Sequence, residues 1–156
     1  MIDRDQILSL CDDELASACD IEHTRGSGPG GQKRNKTSSA VRLTHRATGL
    51  TARAEAERSQ QKNRRAALQR LRWQVALAIR QTPINLKFRA VNARVPFEAA
   101  RIVDHLDAHS YSLRDTAAAL GVTTGALSGW IGSSDDVLTY VNQSRKALGL
   151  KALRAD

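Results

Sequence analysis

Chemistry in this chain has one conspicuous place to happen, the run Gly26-Ser27-Gly28-Pro29-Gly30-Gly31 closed by Gln32. Paired glycines at 30 and 31 let the backbone approach a partner that a Cβ would hold away. The Gln32 amide donates and accepts hydrogen bonds but cannot serve as a base near neutral pH. It suits the orienting of water or of a reacting group. The run lacks the Lys-Ser/Thr ending with which a P-loop grips phosphate. No Ser-His-Asp or Cys-His arrangement can be argued along the chain. Taken bare, the segment reads equally well as a flexible turn.

Metal chemistry has less to work with. His105 and His109 stand four apart and could share a helix face, yet no Cys or third ligand accompanies them at a zinc spacing, so no metal is expected. Cys11 and Cys19 have no further thiols with which to build a disulfide framework and are expected to be free and reduced. No cofactor is expected.

The elements around the glycine run can be read from periodicity. Asp12 to Ala18 predicts a short helix, and Ile21 to Arg25 a strand that delivers the chain into the run. Ala40 to His45 and Leu50 to Ala54 predict a hairpin about Ala47-Thr48-Gly49. From Ser59 to about Gln81 there is no Gly or Pro, and Leu68, Leu71, Val75 and Ala78 fall on one helical face. Thr82-Pro83 ends that helix. Arg58, Lys62, Arg65 and Arg72 form a second stripe, either aimed at phosphates or simply solvated. Residues 85–96 read as a linker. Beyond it, helices are predicted over 97–109, 113–120 and 124–131, with a tight turn at Gly121 and Trp130 in the core. A last helix, capped by Ser134 with Asp135 and Asp136, runs through Val137, Val141 and Leu148 to Gly149.

Charge narrows the partner. The 156 residues carry a formal net charge of +8, with pI near 10.2, which favours a polyanion, either nucleic acid or an anionic membrane surface. No run approaches the roughly 20 apolar residues of a spanning helix, and no apolar signal segment opens the chain. The expectation is a cytoplasmic protein without a membrane partner. Between Thr24 and Arg80 the cations are opposed only by Glu55 and Glu57, so the polyanion contact is expected in the first half.

At this point the order of residues becomes specific. Arg25-Gly26-Ser27-Gly28-Pro29-Gly30-Gly31-Gln32, then Asn35-Lys36-Thr37 and Ser39-Ala40-Val41-Arg42-Leu43-Thr44-His45, resembles the catalytic domain of class I peptide chain release factors. Thr48-Gly49, Glu57-Arg58-Ser59-Gln60, Lys62-Asn63 and Ala66-Ala67-Leu68 are similar to that domain's hairpin turn and final helix. The resemblance covers roughly residues 20–80. One departure stands out: the family usually places His or Asn and then Val after the glutamine, whereas Lys33-Arg34 follow here. Two added cations suit ribosomal RNA.

The resemblance implies a small α+β domain, with a short β-sheet packed on a long helix. Together with the spacing read above, the expected fold is α+β, with that release-factor-type domain over 1–84, a linker over 85–96 and a small all-α, helix-turn-helix-like module over 97–156. The resemblance also implies Gly30, Gly31 and Gln32 as the catalytic loop, the Gln32 backbone N–H pointing at the developing oxyanion or the leaving ribose oxygen of peptidyl-tRNA. Arg25, Lys33, Arg34, Lys36, Arg58, Lys62 and Arg65 are the expected RNA contacts. The implied partners are peptidyl-tRNA and the ribosome, at the large-subunit rRNA of the peptidyl transferase centre. Factors that read stop codons carry additional recognition domains with no recognisable equivalent here, so a codon-independent, ribosome-rescue peptidyl-tRNA hydrolase is expected, acting as a monomer. A second reading stays open. Leu113 to Val122 is similar to the helix-turn-helix of nucleic-acid-binding regulators, with Ala117 and Gly121 fitting its close helix crossing, and such a regulator could retain the loop without using it.

Overall fold

A computed structural model describes residues 3–24, 39–88 and 91–154. The architecture is α+β, and the chain divides into two compact units, Met1–Val75 and Ala76–Asp156.

The first unit runs α1 (Arg4–Ser9), α2 (Asp12–Ser17), β1 (Cys19–Thr24), β2 (Ala40–His45) and β3 (Thr51–Ala54), then enters the long helix α3 (Gln60–Ala78). The strands form an antiparallel sheet in the order β1-β2-β3. Register follows from alternation, since a one-residue slip would turn the apolar row to water. Val41, Leu43 and His45 are buried with Ala52 and Ala54, whereas Asp20, Glu22 and Arg42 point to solvent. Gly49, at φ +70, closes the β2–β3 turn as its N–H donates to the His45 carbonyl at 2.8 Å. On α3 the buried residues Asn63, Ala67, Leu71 and Val75 recur every fourth position, with Leu68 beside them. Each fully buried Leu or Val contributes about 1.5–3 kcal/mol.

Several boundaries differ from the sequence expectation. Helix α1 was not anticipated; Asp3 caps it by accepting from the N–H groups of Asp5 and Gln6, and Arg4 is buried with its guanidinium on Asp5 at 2.7 Å. Strand β1 begins at Cys19 rather than Ile21, because Arg46 holds that end. Its backbone N–H donates to the Ala18 carbonyl at 3.1 Å, and its guanidinium donates to the carbonyls of Ser17 and Cys19. Helix α3 stops at Ala78, not Gln81, and Ala78 is exposed. The Gln81 N–H goes to the Asp104 carboxylate at 3.1 Å instead of continuing the helix.

The second unit holds α4 (Pro96–Ala108), α5 (Leu113–Ala119), α6 (Thr124–Gly132) and α7 (Asp135–Ala147). Pro96 opens α4 where a missing N–H costs nothing. Ser112 and Thr123 cap α5 and α6 through their hydroxyls. Ser134 occupies the cap position of α7 without making a side-chain cap, so Asp135 and Asp136 in the first turn are left to complement the helix dipole. Ile102, Val103, Leu106, Leu127, Ile131, Val137 and Val141 form the core. Between α5 and α6, Gly121 at φ +65 allows Val122 N–H to reach back to the Ala117 carbonyl at 2.9 Å, so a helix–turn–helix is present as geometry.

Trp130 is half-buried rather than in the core. Its ring lies 6.1 Å from Phe88 and its Nε1–H donates to the Val91 carbonyl at 3.3 Å. Arg94 Nε donates to the Ser133 carbonyl at 3.1 Å. Near the start of the unit, the Arg80 guanidinium meets Asp104 at 3.2 Å and lies 5.7 Å over the Tyr140 ring. His105 Nε2 is 3.0 Å from the Ile84 carbonyl and His109 Nδ1 is 2.8 Å from the His105 carbonyl. Among the described residues no three His, Cys, Asp or Glu side chains gather as metal ligands would, and no helix is long and apolar enough to cross a membrane.

Candidate functional site

Strands β1 and β2 stay paired out to Thr24↔Ala40. Residues 25–39 therefore leave and re-enter the sheet at neighbouring strand ends. Gly30, Gly31 and Gln32, together with Arg25, Lys33, Arg34 and Lys36, lie outside the described residues. What the structure does describe is the base from which that segment springs.

The base is built on the start of α3. Ser59 opens the helix, its hydroxyl accepting from Lys62 N–H at 3.4 Å. One turn in, Asn63 is wholly buried. Its Nδ2 donates to the Ser39 carbonyl at 2.7 Å and the Glu57 carbonyl at 2.8 Å, while its Oδ1 accepts from Glu57 N–H at 3.0 Å. Gln60 Nε2 stands 2.9 Å from His23 Nδ1 on β1. A buried amide with both ends satisfied keeps its neighbours in place, because losing a partner would leave desolvated groups unpaired.

Of the expected RNA contacts that are described, Arg58, Lys62 and Arg65 are all exposed. Lys62 lies 3.7 Å from Glu57, a solvent-exposed pair of little energetic weight. Arg58 precedes α3 rather than sitting on it. Arg72 leaves the expected stripe altogether. Its side chain is only 17% exposed and donates to the carbonyls of Leu8 and Leu10 and to Asp12 at 3.2, 2.8 and 3.0 Å. Arg64, which the spacing argument passed over, is exposed between Lys62 and Arg65.

At the opposite end of β2, His45 packs in the sheet with Nδ1 3.0 Å from the Thr48 hydroxyl. Burial pushes its imidazole below the ordinary 6.5, and the Arg46 charge acts the same way. The unfolded chain therefore takes up a proton that the folded one resists. Stability is complete above 6.5 and is lost as pH falls through the depressed folded value. The thermal midpoint is expected to drop on acidification through that window, and His45→Gln to flatten the dependence.

Comparison with known proteins settles the family. The RF-1 domain matches residues 14–95, just over half of the chain. The chain belongs to the RF-1 domain family. The RF-1 domain reaches from α2 to the residue before α4, and the chain is 47% identical over 62 residues to a peptide chain release factor homolog of Escherichia coli, covering 40% of this chain and 30% of that protein. Against peptide chain release factor 1 of Levilactobacillus brevis it is 59% identical over 51 residues, covering 33% of this chain and 14% of that protein. Peptide chain release factor 1 of Clavibacter michiganensis gives 39% identity over 97 residues, 54% of this chain and 27% of that protein. The chain thus spans less than a third of the length of these relatives.

Within the RF-1 domain, sequence reasoning missed the Asn63 and Gln60 contacts at the loop base. A signal for Asn63 was present, since this amide falls in phase with Ala67, Leu71 and Val75 on the apolar stripe. A polar residue in a buried row must find partners. Gln60 and His23, which are both exposed and far apart in sequence, left no such signal.

Proposed function

We propose that the protein promotes ribosome-dependent hydrolysis of the ester joining nascent peptide to tRNA, and that it does so without reading a codon, as a ribosome-rescue factor. The observation that supports this most is the RF-1 domain match over 14–95 with Gly30-Gly31-Gln32 in the connection between the paired ends of β1 and β2. In the reaction, water attacks the ester carbonyl, a tetrahedral oxyanion forms, and the ribose oxygen leaves with a proton. Gly30 and Gly31 admit the backbone to a crowded RNA pocket. The Gln32 N–H stabilises the developing or departing oxygen, and its amide orients the water while excluding larger nucleophiles. Ribosomal RNA supplies much of the remaining catalysis. The functional division proposed is a release domain over 1–84, a linker over 85–96 and a helical module over 97–156.

Arg25, Lys33, Arg34, Lys36, Arg58, Lys62 and Arg65 are the proposed contacts to large-subunit rRNA. Because each neutralised phosphate releases counterions, replacing Arg58, Lys62 and Arg65 together by Gln is expected to weaken ribosome binding. The slope of log affinity against log salt falls by about one for each lost contact. An unchanged slope would remove these three from the interface.

The deciding assay offers the purified protein two substrates, ribosomes holding peptidyl-tRNA on a truncated messenger and ribosomes stopped at a stop codon. Release from the first alone supports rescue. Release from the second alone makes it a terminator. Release from neither favours a nucleic-acid-binding regulator, the reading carried by the α5–α6 helix–turn–helix.

A further inference from the structure

Both stems of the 25–38 segment are held by a single turn of α3. On the outgoing side, His23 on β1 is met by Gln60 at 2.9 Å. On the returning side, Ser39, the residue before β2, gives its carbonyl to Asn63 Nδ2 at 2.7 Å. The same Asn63 binds both the N–H and the carbonyl of Glu57, which fixes the chain immediately ahead of Arg58. Residues 60 and 63 are three apart on a helix, so they are neighbours on one side of it.

We infer that Gln60 and Asn63 are positioning residues, an anchor that fixes the two strand ends, at His23 and Ser39, from which the 25–38 segment leaves and to which it returns. Neither touches substrate in this scheme. Both act through the loop stems. The inference deepens the proposed function and rests on it for its kinetic consequence, but the anchor itself stands on the geometry at the strand ends.

The two contacts differ in a way that makes them separable. Asn63 is fully buried, and each of its three bonds goes to main chain. In Asn63→Asp the shape and the bond from Glu57 N–H survive, while the donations to Ser39 and Glu57 are lost and a carboxylate faces two carbonyl oxygens. The Gln60 contact is exposed, so Gln60→Ala removes it with little disturbance of the core. If positioning is the role, both variants slow the reaction at saturating protein by a larger factor than they shift the protein concentration for half-maximal release. A displacement of order 1 Å at a reacting group costs up to about 10²-fold in rate. The expectation is a loss of about tenfold or more for Asn63→Asp and a smaller one, about threefold, for Gln60→Ala.

Amide hydrogen exchange on the free protein gives the readout that a general loss of stability would not reproduce. Exchange at the loop end of the ladder, Thr24↔Ala40 and His23↔Val41, is expected to rise at least about tenfold in Asn63→Asp. Exchange at the far end, Cys19↔His45 and Asp20↔Thr44, stays near the wild-type rate. Gln60→Ala gives the same polarity with smaller size. Equal acceleration at both ends, no acceleration at either, or a raised half-maximal concentration with an intact maximal rate would overturn the anchor. Wild-type protein that releases no peptide sinks the functional reading, and the exchange pattern then decides the anchor alone.

Discussion

Gly31→Ala is expected to cut the rate of peptide release by about 10²–10³-fold while ribosome affinity stays close to wild type. The size comes from the loss of one well-aimed donor to a developing oxyanion, which costs about 2.7–4 kcal/mol in acyl-transfer sites. The selectivity comes from the division of labour proposed above. In that proposal affinity rests on cations spread over Arg58, Lys62, Arg65 and the loop's own lysines and arginines, whereas the rate rests on how closely one N–H can be brought to one oxygen. A methyl group at position 31 leaves every charge in place and obstructs only the approach. Single-turnover release on purified ribosomes, with binding measured separately at the same salt, checks both halves. Full release by the variant would remove the loop from the chemistry.

Asp104→Ala is expected to cost the second unit about 3–5 kcal/mol, the range for breaking a buried ion pair from one side. Asp104 is 3% exposed and Arg80 19%, so the carboxylate is almost wholly withdrawn from water and the guanidinium largely so. The carboxylate also accepts from Gln81 N–H, so its removal takes an acceptor from that backbone donor as well as the counter-charge from the guanidinium. Asp104→Asn retains an acceptor for Gln81 and is expected to cost less. Urea denaturation of the two variants side by side separates the charge from the hydrogen bond. Equal and small losses would mean that the stacking of Arg80 on Tyr140 and its bonds to the Ala76 and Ala100 carbonyls hold this corner unaided.

Patterns local in sequence were legible. The apolar-polar alternation of Ala40–His45 matched strand β2 residue for residue, and the Thr48-Gly49 signal marked a turn that needs a positive φ. The α3 stripe and the four helices of the second unit followed from spacing in the same way, to within a few residues at their ends. What could not be read were choices made between distant partners. Nothing in the spacing of Arg72 distinguishes it from Arg65, and only the fold brings Leu8, Leu10 and Asp12 within its reach. The end of α3 was misjudged for the same reason, since the carboxylate that captures Gln81 N–H lies 23 residues further on. Gly30, Gly31 and Gln32 were named by resemblance, and their support remains the family match and the geometry of the strand ends on either side.

Arg72 also bears on what the chain's cations are for. Arg46, Arg70, Arg72, Arg80 and Arg145 all donate guanidinium protons to main-chain carbonyls. These planar forks serve as rivets, tying main-chain carbonyls to side chains elsewhere in the chain. A lysine-for-arginine version would keep the same formal charge and be drawn to RNA much as before, but an ammonium cannot span two carbonyls with fixed geometry. Electrophoretic mobility would hardly register the exchange, while the melting curve would.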